Sequence, residues 1–198
     1  MDLEWQAPLP DGPKILTANH PSTTDPFYML SLVREPISIL VMEGVFKIPV
    51  LGPLIRSSGH VSVPLENRKL AFEAGLSLLK TGWTIGIFPE SGSSPRVKTG
   101  AVRMALTASV PIIPIGIHLI KRKIWYRQLT MGDERKISRL YLCGPYAVTV
   151  GKPMMFTGDV DDRVFVREQS EHLVERIDQL VQYSRYRLDG DSQALSET

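Results

Sequence analysis

Short apolar runs rich in β-branched residues recur along the chain, and a turn followed by a helical pattern separates most of them. KILTAN (14–19), ISILVM (37–42), GHVSVP (59–64), WTIGIF (83–88) and PIIPIGIHL (111–119) are each bounded by Gly, Pro or polar residues and read as buried strands. Between them, ENRKLAFEAGLSLLKTG (66–82) sets Leu70, Ala74, Leu78 and Leu79 at helical spacing, with Gly82 as a stop. KTGAVRMALTAS (98–109) reads as another helix, LYLCGPYAVTVGKPM (140–154) as further strand or hairpin. DDRVFVREQSEHLVERIDQLVQYSRYRL (161–188) reads as a long amphipathic helix with Val166, Leu173, Ile177 and Leu180 on one face. The alternation predicts one α/β domain over residues 1–188, a mixed, largely parallel sheet flanked by helices, with 189–198 a disordered tail.

Composition narrows the setting. A chain of 198 residues with 43% hydrophobic and 22% charged content can bury a core as one ordinary globular domain. Its single cysteine, Cys143, fits a reducing compartment, and the acidic, proline-bearing start MDLEWQAPLPDGP lacks the pattern of an export signal, so a cytoplasmic location is expected. The longest uncharged stretch, Met104 to Ile120, falls just short of a membrane span and contains Pro111 and Pro114; it reads as a helix end running into a buried strand.

The net charge of +2 hides an uneven distribution. Between Lys121 and Arg139, seven basic residues (Lys121, Arg122, Lys123, Arg127, Arg135, Lys136, Arg139) face Asp133 and Glu134, and Trp125 and Tyr126 lie among them. Amphipathic rings among cations suit an anionic lipid surface. The other reading is a solvated loop whose charges pair with the acidic segment after Gly158.

The candidate chemistry begins at ANHPSTTDP (18–26), where His20 and Asp25 stand five apart. On one helix such residues are about 140° apart, and on a strand they point to opposite faces, so they meet only if the chain bends between them. Pro21 pushes His20 towards an extended conformation, and Asp25 followed by Pro26 signals a helix start for PFYMLSLVR. Asp25 either caps that helix only, or also accepts a hydrogen bond from the imidazole, which would leave the other ring nitrogen as a general base.

Four blocks carry a resemblance. NHPSTTD (19–25) resembles the H-x-x-x-x-D motif of the glycerolipid acyltransferases, the family of lysophosphatidic acid acyltransferases. IFPESGSS (87–94) resembles that family's F-P-E-G block, with KTGAVRMAL (98–106) its following helix start. VPIIPIGI (110–117) resembles its V-P-[IV]-[IV]-P strand and VTVGKPM (148–154) its late G-K-P turn.

The resemblance implies a glycerolipid acyltransferase-like fold and a transfer of acyl groups from acyl-CoA or acyl carrier protein to a hydroxyl of an acceptor such as a lysolipid. It makes His20 the base and Asp25 its orienting partner. Phe88, Pro89, Glu90, Ser91, Gly92 and Ser93 become a substrate-binding turn, with Arg96 and Lys98 as nearby cations. The co-substrate is a thioester, and no further cofactor is implied. The family commonly places arginines where this chain has Leu65 and Ser93, with Arg68 three residues after the first. A bidentate arginine is the natural partner of a phosphate monoester, so the departure leaves the acceptor open. Membrane contact is expected to be peripheral, on the inner face, through GVFKIPVLGPLI (44–55) or the Trp125–Tyr126 segment.

Other readings stay open or fall away. The same dyad would serve a thioesterase with water as acceptor, and a catalytically silent lipid-binding module is a third possibility. Ser77 to Lys80 and Lys98 to Gly100 match fragments of the penicillin-recognising enzymes at the wrong spacing. His60, His118 and His172 lack metal-ligand spacing and read as structural, and no basic recognition helix points to nucleic acid.

Overall fold

In the computed structural model, residues 2–64, 66–89, 97–131 and 134–194 are described. Among the described residues, nine strands and five α-helices run β1 (Asp2–Trp5), β2 (Ile15–Ala18), α1 (Asp25–Leu30), β3 (Ile37–Met42), α2 (Leu51–Ser57), β4 (Val61–Val63), α3 (Arg68–Lys80) and β5 (Thr84–Ile87), then α4 (Gly100–Ala108), β6 (Ile112–Leu119), β7 (Trp125–Met131), β8 (Glu134–Leu140), β9 (Tyr146–Val150) and α5 (Arg163–Ala194). A seven-stranded sheet has the order β1-β9-β6-β2-β5-β3-β4, and β7 and β8 form a separate two-stranded sheet. The block from β6 to β4 is parallel; β9 runs antiparallel to β6, and β1 parallel to β9. The expected α/β class, a mixed and largely parallel sheet flanked by helices, holds.

The central strands read as continuous apolar runs because both faces of the sheet are covered. On one face Ile15, Ile85 and Ile112 pack with Leu79 of α3, Met104 of α4 and Leu173 of α5. On the other, Leu16, Ile39, Ile113 and Ile115 pack with Met29 and Leu32, and with Tyr141 and Tyr146. Gly116 lets α5 approach closely: a Cβ there would lie 2.2 Å from the carbonyl carbon of Leu180. The expected face of α5 is buried, with Val166, Leu173, Ile177 and Leu180 all nearly inaccessible.

Several expectations are corrected. The buried stripe of α3 is Ala71, Gly75 and Leu79, and Leu70 is exposed. Small residues win there because Gly75 sits against the Met104 side chain of α4, where a Cβ would come within 2.8 Å. The polar N-terminal stretch forms β1, whose pairing with β9 is reinforced by ion pairs of Arg187 on α5 with Asp2 and Glu4. Among the described residues, the ion pairs of α5 are these and pairs within the helix, so the acidic segment does not neutralise the 121–139 cations. That basic segment is no loop: most of it is the β7–β8 hairpin, paired from Trp125↔Leu140 to Met131↔Glu134. The helix also overruns the expected tail, continuing to Ala194. The 44–55 stretch folds as a short 3-10 turn (Glu43–Lys47) and the start of α2.

Candidate active site

β2 and β5 are parallel neighbours in register, with Ile15 opposite Ile85 and Thr17 opposite Ile87, so their carboxyl ends lie level at one edge of the sheet. The chain leaves β2 through α1 on one face and leaves β5 through α4 on the other, and the two connections run to opposite sides. Divergence of connections at the carboxyl ends of neighbouring strands is the usual place for a ligand in an open α/β sheet. His20 follows β2 by two residues and Phe88 follows β5 directly.

The turn between His20 and α1 brings the two predicted residues together. Nδ1 of His20 lies 3.0 Å from Oδ2 of Asp25. Asp25 is fully buried, whereas the His20 side chain keeps 30% of its surface open. A buried carboxylate needs donors, and three are present: the imidazole, the Ser22 backbone N–H at 2.7 Å to Oδ2, and the Tyr146 hydroxyl at 2.8 Å to Oδ1. A carboxylate oxygen can only accept, so in the neutral imidazole the Nδ1 that faces Oδ2 carries the proton and Nε2 carries the lone pair. The Phe88 ring stacks on the imidazole, centroids 4.3 Å apart.

Asp25 is the first residue of α1 rather than its cap. The capping position is Thr24, which makes no side-chain cap bond, while the Asp25 carboxylate turns back into the loop to take the Ser22 N–H. Pro26 stands in the first turn, where its missing N–H costs nothing.

The hydroxyl-rich turn is stitched to the foot of the hairpin. The Ser22 hydroxyl and the Thr23 N–H both donate to the Arg139 carbonyl, at 2.9 and 2.7 Å. Thr23 Oγ1 accepts the Arg139 N–H at 3.0 Å, and the Thr24 hydroxyl donates to the Tyr141 carbonyl at 3.2 Å. The Arg139 guanidinium donates to the His20 carbonyl at 2.8 Å. On the other side, the Asn19 amide both donates to and accepts from the Ile117 backbone, extending the β2–β6 ladder by one side chain. His20 is therefore held from both flanks.

The remaining predicted residues divide. Phe88 contacts the imidazole and Pro89 is buried beside it in the chain. Glu90, Ser91, Gly92, Ser93 and Arg96 lie outside the described residues, as does Leu65. Lys98 is half-buried ahead of α4; burial first, then the positive charge of Arg68, holds its ammonium below the usual lysine range. Arg68 opens α3, so cations from two separate segments approach one another. Burial lowers His60 as well, and its Nδ1 accepts the Ile39 N–H at 3.2 Å. Among the described residues no three His, Cys, Asp or Glu side chains converge as a metal site would.

Tyr146, Tyr28, Asn19 and Arg139 belong to the site's construction and were not foreseen in those roles. Tyr28 stacks on Tyr146 with ring centroids 4.0 Å apart. Burial, and then the Asp25 charge, push the Tyr146 hydroxyl far above the ordinary tyrosine range, so it stays a donor at any physiological pH. Only a sheet order that places β9 beside β6 could reveal that Tyr146 reaches Asp25, 121 positions away.

Fold and site together define an α/β domain with a histidine–aspartate pair at the carboxyl edge of a parallel sheet. The family model described as Acyltransferase matches residues 3–118, more than half of the chain, and the chain belongs to that family. It is similar to a 1-acyl-sn-glycerol-3-phosphate acyltransferase of Escherichia coli (strain K12), 29% identical over 130 residues, covering 61% of this chain and 53% of the relative. A 1-acyl-sn-glycerol-3-phosphate acyltransferase of Chlamydomonas reinhardtii is 30% identical over 116 residues, covering 54% of this chain and 35% of that protein. The matches thus span between a third and about half of these relatives' length. The fold is shared with the crystal structure of the 1-acyl-sn-glycerophosphate (LPA) acyltransferase, PlsC, from Thermotoga maritima, with a TM-score of 0.59, 21% identity, and coverage of 90% of this chain and 72% of that one. Among the described residues, no helix is long and apolar enough to cross a membrane.

Proposed function

We propose that this chain transfers a fatty acyl group from a thioester, acyl-CoA or acyl carrier protein, to a hydroxyl of a lysolipid. The observation that carries the reading is the 3.0 Å contact between His20 Nδ1 and a fully buried Asp25 carboxylate, set in a family of acyltransferases. Nε2 of His20 takes the proton of the acceptor hydroxyl as its oxygen bonds to the thioester carbonyl carbon. The tetrahedral intermediate collapses with cleavage of the C–S bond, and the imidazolium returns its proton to the departing sulfur. Asp25 stabilises the imidazolium and fixes its ring; Phe88 limits its tilt. A thiolate leaves readily, so this route asks for neither an enzyme-bound acyl intermediate nor a cofactor.

The relatives' names point to a 1-acylglycerol phosphate acceptor. Lys98, half-buried ahead of α4, is assigned to the acidic headgroup, with Arg68 at the start of α3 as a second cation. This reading puts the anion site on cations other than those the family pattern expects at Leu65 and Ser93. Ser91 to Ser93, by resemblance to the family's block, are assigned to the donor carbonyl and Arg96 to the headgroup. The working location is the cytoplasmic side of a membrane, with peripheral attachment.

The test is thiol release from acyl-CoA and from acyl carrier protein by the wild-type chain and His20→Ala, with a panel of lysolipids with and without a phosphomonoester. Release that needs both His20 and an acceptor upholds the reading. Release that needs His20 but no acceptor replaces it with a thioesterase, and equal release by His20→Ala overturns the dyad mechanism.

A further inference from the structure

We propose that the β7–β8 hairpin is a docking element for an anionic lipid bilayer. The proposal rests on the acyltransferase reading only for what the bilayer supplies, a lipid acceptor; the surface itself is argued from the hairpin, which lies outside the residues that the family model matches.

The hairpin stands apart from the main sheet as a two-strand unit. Trp125, Tyr126, Arg127 and Gln128 are consecutive and all exposed, so over these four residues both faces of β7 are open. Among its described residues the ribbon buries Ser138 and little else, and a two-stranded ribbon outside a larger sheet is marginally stable in water, which makes a covering surface physically useful. The register sets Tyr126 opposite Arg139 and Gln128 opposite Ile137, so Tyr126 and Ile137 share one face while Trp125 and Arg127 share the other. Trp125, Tyr126 and Ile137 are 66%, 67% and 72% exposed.

Charge selects the partner. Among the described residues, Lys121, Lys123, Arg127 and Arg135 make no ion pair. Large apolar side chains among unneutralised cations match the headgroup zone of an anionic bilayer, where rings sit at the boundary and cations meet lipid phosphates. An acidic protein would meet the charges but would cover one face of the ribbon. A headgroup layer can surround both. The foot of the hairpin, Arg139 and Tyr141, is hydrogen-bonded to the turn that carries His20, so a docked hairpin would hold that turn close to the lipid surface.

The experiment is co-sedimentation of the full chain with vesicles of phosphatidylcholine alone or mixed with phosphatidylglycerol. Two double variants accompany it, Arg127→Glu with Arg135→Glu, and Trp125→Ala with Ile137→Ala, each checked for an unchanged thermal melt. The wild-type chain is expected to sediment with the mixed vesicles only, and less so at high salt. The charge variant is expected to lose roughly 25-fold or more in partition, at about fivefold for each cation removed, and the apolar variant about tenfold. Transfer to a water-soluble short-chain acceptor should be unchanged in both. Equal partition of wild type and variants, or retention by acyl carrier protein without retention by vesicles, overturns the proposal. Hairpin-dependent vesicle binding without acyl transfer upholds the surface and sinks the enzymatic reading; transfer to the soluble acceptor without vesicle binding does the reverse.

Discussion

The hydroxyl of Tyr146 donates a 2.8 Å hydrogen bond to Oδ1 of Asp25, the carboxylate oxygen that the imidazole does not use. A strand near the end of the sequence thereby completes a pair formed near its beginning. Tyr146→Phe removes this donor with almost no change in volume and leaves a buried charge short of one partner. A hydrogen bond to a charged group contributes about 1.5–3 kcal/mol. The expected result is a loss of stability in that range in urea unfolding, together with a roughly tenfold or greater fall in kcat if the same bond holds the dyad. An unchanged kcat with the expected loss of stability would confine Tyr146 to a structural part.

His20→Ala and Asp25→Ala should both abolish most acyl transfer but differ in stability. Loss of a general base costs about 10²–10⁴ in rate. His20 is partly exposed, so water can take its place at Oδ2 of Asp25, and its removal should lower the melting temperature less than the loss of Asp25 does. Removing Asp25 strands the Ser22 N–H and the Tyr146 hydroxyl in a buried site, at about 1–3 kcal/mol each. Thermal melts beside single-turnover assays check the contrast; an Asp25→Ala chain as stable as His20→Ala would contradict the described hydrogen bonding.

Arg139→Met tests whether the guanidinium positions the base. The backbone bonds of residue 139 to the turn survive the change, and only the donation to the His20 carbonyl is lost. The expected outcome is a fall in kcat of about tenfold with KM little changed. A rise in KM alone would instead assign Arg139 to binding.

Stability should fall on mild acidification, partly through His60. Burial holds this imidazole below 6.5, and its Nδ1 accepts the Ile39 N–H, so protonation would set donor against donor. The unfolded chain binds the proton first as the pH falls through 6.5, so stability rises with pH between the lowered folded value and 6.5 and is lost below it. His118, lowered chiefly by burial, adds in the same direction. His60→Asn keeps an acceptor for Ile39 without titrating there, and denaturant midpoints measured across this range should show a shallower slope. An identical slope in the variant would remove His60 from the acid response.

Much of this site was legible before any fold was known. Two prolines made a strand end and a helix start readable around a short polar turn; that His20 and Asp25 act as a pair came from the resemblance of NHPSTTD to the acyltransferase motif, and the structure puts them 3.0 Å apart. Phe88 was named from the resemblance of its block to the family's F-P-E-G motif. Asp25 as a helix cap was misread, because a cap signal and a carboxylate that turns back into its own loop share the residues Asp and Pro. The basic segment was legible in composition but not in shape, since its apolar and polar positions do not alternate regularly along the two strands.

The chain's own pattern determined the α/β class, the strands β2 to β6, the long helix α5 and the bend between His20 and Asp25, because these depend on periodicity and turns spanning a few residues. Tertiary structure decided which strands are neighbours, that Tyr146 and Arg139 serve the turn around His20, and that Lys98 and Arg68 approach each other. Those contacts join segments far apart in sequence. They follow from the sheet order, which arises from the packing of all the strands and helices together and leaves no mark on any single stretch of residues.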